Sequence, residues 1–297
     1  MRTLIFPVIV ALVASIFSSS LSAQICYKVE REDLPAPSYL FGTHHLAPLS
    51  VYDSIPQAKE GFRQARRIVG EIDMRLMEDM ATAMEMQQYA IAPADSALTD
   101  LLSEEDLNTY SRKFAEFVPQ VPLVALAGMR PMVATTLLTV NVVQQNLPEF
   151  RADEQLDTWF QYQGALEGKE ITALETPAQQ ARILYQGLSI PAQLRQLTHS
   201  LDNPQELVEK SRQLNAAYMS RDLKAMESLE SDEEDPEVKI FMEALVNKRN
   251  ADWLEKLPSI MGSEPSFIAV GALHLAGEEG LVEGLRRMGY TVTPLDR

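Results

Sequence analysis

The chain has 297 residues, of which 46% are hydrophobic, and its 26 basic and 42 acidic residues give a formal net charge of −16. This length and composition allow a sizeable buried core, arranged as one large domain or two smaller ones. The acidic balance, with no basic stripe to offset it, would repel a phosphate backbone and therefore disfavours nucleic acid as a partner.

The N-terminus has the pattern of a signal peptide. A basic start at Arg2 precedes an almost unbroken apolar run over residues 4–17 and a small, mostly polar stretch over residues 18–23. Because the run is too short to span a bilayer, we expect cleavage after Ala23 and export to a bacterial periplasm or the extracellular space. An uncleaved N-terminal anchor is the alternative. The single cysteine, Cys26, rules out an internal disulfide, which fits a bacterial envelope protein.

Residues 24–297 are predicted to form one α/β domain, since no Ser/Gly linker or low-complexity tract marks a boundary. Apolar runs typical of strands alternate with long helical stretches. The predicted strands cover residues 38–41, 68–72, 170–174, 267–270 and 290–294, and the predicted helical regions cover residues 54–67, 75–166, 177–258 and 278–288. We therefore expect a mixed, largely parallel sheet with large helical insertions and a C-terminal β-loop-α-β unit, with no transmembrane segment after signal cleavage.

Three methionines in the first insertion, Met77, Met80 and Met84, lie at helical spacing. Apolar residues at this spacing are typical of the buried face of a helix, so we predict that they belong to the core. An adaptable, Met-rich binding face is the alternative.

Two segments at opposite ends of the chain share one pattern. They are Tyr39-Leu-Phe-Gly42-Thr43-His44-His45 and Phe267-Ile-Ala-Val-Gly271-Ala272-Leu273-His274, and they contain three of the four histidines. Each runs from a short apolar strand into glycine, two spacers and a histidine. Imidazole is the usual neutral metal ligand and a common proton shuttle. Because α/β sheets present their chemistry just past the strand ends, we expect the functional site here.

Two further predicted strands lead into carboxylates, Glu71 and Glu175. If the strands are mostly parallel, all four strand ends gather at one edge of the sheet. Two histidines with one or two carboxylates would hold a divalent ion, with positions left for water and substrate. Such an ion lowers the pKa of bound water, and a carboxylate can take the proton. Ordinary capping of strands and helices by these polar residues is the alternative.

More motifs are spread along the chain. They are Gly70-Glu71-Ile72-Asp73, Leu156-Asp-Thr-Trp-Phe160, Gly168-Lys-Glu-Ile-Thr-Ala-Leu-Glu-Thr176 followed by Gln179 or Gln180, Arg249-Asn250-Ala-Asp-Trp253, and a C-terminal block from Val270 that closes in Gly289-Tyr290-Thr-Val. Together with the two histidine segments, these motifs resemble the TraB/GumN family, which includes the TIKI metalloproteases of animals. They occur in family order over nearly the whole mature chain, residues 24–297.

The resemblance implies an α/β core related to erythromycin-esterase-like and haem-binding ChaN-like proteins. For the TIKI branch it implies peptide hydrolysis supported by a divalent ion such as manganese or cobalt. Carried over residue by residue, it makes His45 and His274 the two motif histidines and Glu71 the early strand-end carboxylate, and it places His44 at a spacer position. Ala276 departs from the family, since many relatives have proline there.

We therefore expect an exported, divalent-metal-dependent hydrolase, most simply a peptidase, acting on a peptide or small molecule. Glu71, His45 and His274 are its predicted catalytic residues. The predicted ligands of a Mn, Co or Zn ion are His45, His274, Glu71 and Glu175.

Three further residues are predicted to contact the substrate. Gly42 and Gly271 would allow close approach at the strand ends, and Arg249 would bind a substrate carboxylate with its forked donors. An internal salt bridge is the alternative for Arg249. Two alternative functions also fit the sequence. The protein would be either a non-catalytic metal- or haem-binding envelope protein on the same fold, or an interaction module carried by the helical insertions.

Overall fold

A computed structural model describes residues 24–147, 155–231 and 235–295. The predicted signal peptide, residues 1–23, lies outside this range. Within the described residues, no helix is both long enough and apolar enough to cross a membrane.

A six-stranded sheet forms the centre of the fold. Its strands are β1 (Cys26–Glu30), β2 (Ser38–Thr43), β3 (Arg67–Gly70), β4 (Glu170–Ala173), β5 (Ser266–Gly271) and β6 (Thr291–Pro294), arranged in the order β4-β3-β5-β2-β1-β6. Neighbours among β4, β3, β5 and β2 are parallel, whereas β1 runs antiparallel to both β2 and β6. The predicted mixed, largely parallel sheet is confirmed.

Helices fill the connections between the strands. The connection from β2 to β3 contains α1 (Ser50–Asp53) and α2 (Pro56–Gln64). The first large insertion, from β3 to β4, contains α3 (Met80–Ala90), α4 (Leu98–Leu101), α5 (Glu104–Phe117), α6 (Pro131–Asn146) and α7 (Leu156–Leu166). The second, from β4 to β5, contains α8 (Pro177–Gln186), α9 (Ile190–Asp202), α10 (Pro204–Met219), α11 (Leu223–Ser231), α12 (Pro236–Glu243) and α13 (Arg249–Ser263). Then α14 (Leu281–Arg287) joins β5 to β6, so the predicted insertions and C-terminal β-loop-α-β unit are confirmed.

The central strands are buried on both faces. All six residues of β2 are buried, as are the first five of β5, which requires helices above and below the sheet. On one face, α7 contributes Phe160, whose ring centroid lies 5.1 Å from Phe41 and 4.9 Å from Phe267. The parallel register pairs Thr43 with Gly271, so the ends of β2 and β5 are level with each other.

The helical insertions also have an apolar core of their own. Leu98, Phe114, Leu138, Leu197 and Val208, from α4, α5, α6, α9 and α10, belong to one buried cluster that is separate from the core of the sheet. An insertion with its own buried core can hold side chains rigidly over a neighbouring surface.

Two features differ from the sequence-based expectation. Strand β1 was not predicted, because its short sequence alternates Tyr27 and Val29 with charged residues and directly follows the expected cleavage site. The prediction that the methionine stripe is buried is wrong, since Met80 is 75% exposed and Met84 is 65% exposed. Helical spacing places these side chains on one face, but it does not determine which face packs against the rest of the protein.

Replacing Phe160 by alanine is expected to lower the free energy of unfolding by about 3–5 kcal/mol, because the substitution leaves a cavity among the buried rings. Denaturant unfolding measures this loss. Tyr162→Ala, in the same helix at a side chain that is 61% exposed, is the control and should change the free energy by less than ~0.5 kcal/mol. Equal losses for the two variants would contradict this packing.

Candidate functional site

The carboxyl ends of β4, β3, β5 and β2 meet at one edge of the sheet, because these neighbouring strands are parallel. Glu175 lies shortly after β4 and Glu71 directly after β3, and His274 follows β5 within the 3-10 turn Ala272–Leu275. His44 and His45 directly follow β2. The four strand ends singled out in the sequence therefore lie side by side.

A cavity of about 510 Å³ lies over this edge. Its polar lining comes from the strand ends, from Arg249 of α13, and from Thr136 of α6 and Gln180 of α8. Its apolar lining comes mainly from the second insertion, through Leu184, Leu214, Met226, Met242, Leu245 and Val246. A polar floor under an apolar roof is the usual form of a small-molecule or peptide side-chain site.

Arg249 is the hydrogen-bonding centre of the floor. Its Nη2 donates to Glu71 Oε2 at 2.5 Å and also to Glu175 Oε1. Its Nε lies 3.0 and 3.1 Å from the two oxygens of Glu175, and its Nη1 lies 3.0 Å from His274 Nε2. All three partners are largely buried. The internal salt bridge that was the alternative for Arg249 is therefore present.

A break in helical regularity places Arg249. The π-helical turn Ala244–Lys248 leads directly into α13, which begins at Arg249. Turns of this kind are rare in proteins, and those that do occur are often found at functional sites. Arg249 Nη1 donates back to the Leu245 carbonyl at 2.9 Å, and the guanidinium carbon lies 4.6 Å from the ring centroid of Trp253. These contacts fix the direction of the guanidinium.

His274 is held in one tautomer by Asn250. The Asn250 amide nitrogen donates to the carbonyls of His274 and Glu279, so its Oδ1 remains as the acceptor for the Nδ1–H of His274 at 2.7 Å. The lone pair of His274 therefore lies on Nε2. Burial lowers the pKa of His274 to about 4, so the imidazole is neutral near pH 7.

Glu71 is held as an ionised carboxylate. The Gly271 N–H donates to Oε1 at 2.8 Å, and Gln180 Nε2 donates to Oε2 at 3.0 Å. Burial favours the neutral acid, but His274, Arg249 and the hydrogen bond from Gly271 outweigh it and lower the pKa of Glu71 to about 2. Glu71 Oε1 lies 3.7 Å from His274 Nε2, so the floor presents two neighbouring acceptors.

The two histidines after β2 have opposite environments. The His45 side chain is 68% exposed, and its Nδ1 lies 3.1 Å from Asp157 Oδ2 of α7. The hydrogen bond that His45 donates to Asp157, together with the negative charge of this carboxylate, raises the pKa of His45 to about 9. Burial lowers the pKa of His44 to about 4, and its ring lies against Tyr218. Of these two histidines, His45 is therefore the charged donor of the cavity lining.

The predicted glycines have different surroundings. Gly271 lines the cavity and binds Glu71 through its N–H. Gly42 lies under the 3-10 turn instead, where an added Cβ would be 2.9 Å from the Ala272 Cα, and its carbonyl accepts a hydrogen bond from Tyr218. Close packing of strand against turn explains Gly42 without a substrate.

Three residues of the site were given no role in the sequence: Asp157, Gln180 and Asn250. Each lies inside or beside a motif that carried the family resemblance. Asp157 also accepts a 2.6 Å hydrogen bond from Thr43, so it ties α7 to the end of β2. Motif membership was the main signal available, because their partners Thr43, Glu71 and His274 are 24 to 114 residues away in sequence. Glu175, which Gln180 also binds, is 5 residues away.

A divalent ion does not fit this donor set as it is arranged. The carboxylates of Glu71 and Glu175 both bind Arg249, and the lone pair of His274 also faces that guanidinium. His45 is paired with Asp157. Over residues 24–147, 155–231 and 235–295, no group of three or more His, Cys, Asp or Glu side chains could hold a metal ion. The predicted metal ligands stay a prediction.

The sequence model of the TraB/PrgY/gumN family matches residues 25–294, a range that contains every residue of the site. The chain belongs to this family, and the resemblance seen in its motifs is confirmed. No curated protein and no solved structure gives a significant match to the chain.

Replacing Asp157 by asparagine is expected to lower the pKa of His45 from about 9 towards its ordinary value of 6.5, because the negative charge that favours the imidazolium is removed. An NMR titration of the imidazole protons measures the shift. His199, which is paired with Glu206 on exposed helices, supplies a second histidine signal for comparison. An unchanged His45 titration in Asp157→Asn would contradict the pairing.

Proposed function

We propose that this member of the TraB/PrgY/gumN family is a hydrolase that cleaves a peptide, or a small molecule with a comparable acyl bond, in the cavity at the sheet edge. The observation that carries the proposal is the pair of acceptors, Glu71 Oε1 and His274 Nε2, 3.7 Å apart on the floor of a cavity that also holds the imidazolium of His45.

The pair of acceptors suits activation of water. Glu71 Oε1 accepts from the Gly271 N–H and keeps a second lone pair for a water molecule. His274 Nε2 accepts from the same water molecule once Arg249 Nη1, which lies 3.0 Å away and occupies its lone pair, turns aside. Burial keeps His274 neutral, and the negative charge of Glu71 beside it favours a proton on the imidazole. His274 Nε2 therefore takes the proton as the water oxygen attacks the substrate carbonyl, and Asn250 holds the ring in the required tautomer.

His45 acts as the general acid in this scheme, whereas His274 acts as the general base. As an exposed imidazolium it can donate a proton to the leaving nitrogen or oxygen when the carbonyl intermediate collapses. The proton that His274 received returns through solvent to His45, which completes the cycle. Asp157 and Thr43 hold His45 in place but do not reach the substrate in this scheme.

The roof of the cavity favours an apolar group on the substrate. Leu184, Leu214, Met242 and Leu245 surround the space above the acceptors. Burial of an apolar side chain against such a wall contributes roughly 1.5–3 kcal/mol to binding. We therefore propose a scissile bond next to a bulky apolar residue.

A divalent ion, Mn, Co or Zn, is what the family resemblance implies for this chemistry. Its predicted ligands do not fit it while Arg249 is in place, so each step above uses only groups of the chain itself.

Export is also proposed, and it rests on the pattern of residues 1–23 alone. The mature N-terminus in an envelope fraction is then expected at Gln24, as determined by mass spectrometry of the N-terminal peptide. Recovery of the full-length chain from the cytoplasm alone would overturn it.

A binding protein that holds haem or another apolar ligand is the second candidate, because the cavity is roofed by apolar side chains and presents an exposed imidazole. An absorption spectrum of native protein distinguishes the two candidates. A Soret band without hydrolysis favours binding, and hydrolysis without the band favours the enzyme.

Hydrolysis of a peptide library by the mature protein is expected to fall by about 10²–10⁴-fold in kcat/KM on His274→Ala or His45→Ala, because each substitution removes one proton-transfer group. His199→Ala removes an exposed histidine that does not line the cavity and should leave the rate unchanged. Cleavage that survives replacement of both His45 and His274 would sink the proposal.

A further inference from the structure

We infer that Arg249 takes the place of a divalent cation in this protein, and that removing its guanidinium uncovers a metal site formed by Glu71, Glu175 and His274. These three side chains would bind an ion in this way whether or not the cavity hydrolyses a substrate.

The three side chains converge on the guanidinium. Glu71 Oε2 lies 2.5 Å from Nη2, Glu175 Oε1 also accepts from Nη2, and His274 Nε2 lies 3.0 Å from Nη1. They come from the ends of three adjacent strands, β3, β4 and β5, and are therefore fixed by the sheet. Among the described residues, Arg249 is the only lysine or arginine that pairs with either carboxylate.

The donor chemistry is that of a metal site. Two carboxylates and one imidazole nitrogen are ligands that Zn²⁺, Mn²⁺ and Co²⁺ accept. A histidine that binds a metal usually donates its other ring N–H to a polar partner, which fixes the tautomer. His274 already does so through Asn250, and its lone pair faces the point where the carboxylates converge.

Arg249 is what prevents an ion from binding. Its guanidinium occupies the space between Glu71, Glu175 and His274. A divalent cation placed beside it in this buried site would be strongly repelled. The guanidinium also uses the lone pairs that an ion would need. A neutral side chain at position 249 would leave two buried carboxylates close together without a cation. Their combined negative charge would attract a dication strongly.

To test this, purified wild-type protein, Arg249→Ala and Arg249→Lys are each titrated with CoCl₂. Calorimetry and the visible spectrum of bound cobalt measure the binding. Arg249→Ala is expected to bind cobalt on the order of 100-fold more tightly than wild type, because the repulsion between the guanidinium and a dication is removed. Arg249→Lys keeps a cation between the carboxylates, so it should bind as weakly as wild type. The double variant Arg249→Ala with His274→Ala should lose most of the gain, because one ligand is missing.

Equal cobalt affinity of wild type and Arg249→Ala would overturn the inference. Circular dichroism checks that each variant is folded, and Arg249→Gln, which keeps more side-chain volume, serves if the alanine variant is unfolded without metal. Folding of either neutral variant on addition of cobalt also supports the inference. Failure of both to fold with cobalt present would count against it. None of these readouts depends on hydrolysis, so loss of the proposed activity would leave them unaffected.

Discussion

Arg249 connects the ends of three neighbouring strands to the helical insertion above them. Glu175, Glu71 and His274 follow β4, β3 and β5, and each binds the same guanidinium. Breaking a buried ion pair by removing one partner typically costs about 3–5 kcal/mol, because an unpaired charge is left behind. The salt bridge therefore fixes where α13 lies over the sheet edge. With α13 in place, the apolar side chains of the second insertion form a roof over the strand ends.

Two histidines that line the cavity, His45 and His274, have environments that shift their pKa values in opposite directions. His45 is charged because Asp157 raises its pKa, whereas burial keeps His274 neutral. Two groups of one chemical type with pKa values moved in opposite directions are a pattern typical of acid–base sites. They reach the cavity from different strands, β2 and β5, whose ends the parallel register holds level. Fold and electrostatics together therefore place a donor and an acceptor in one small space.

Much of this arrangement could be predicted from the sequence. The apolar runs predicted the parallel strands, and the polar residues after them predicted the sheet edge where His45, Glu71 and His274 lie. The side-chain pairs of the site could not be predicted from the sequence. Arg249, for example, could bind a substrate or form an internal salt bridge, and only its distance from Glu175 decides between the two. The role of Asp157 depends on a contact across 112 residues with His45, which one sequence does not reveal.

In this structure a guanidinium, and not a metal ion, balances the carboxylates of the site. Elemental analysis of the native protein, purified without chelators from the organism that makes it, tests this most directly. The structure predicts manganese, cobalt and zinc contents well below one ion per chain, with Arg249 bound to Glu71 and Glu175. One equivalent of any of these metals, retained through purification and lost on His274→Ala, would contradict the claim.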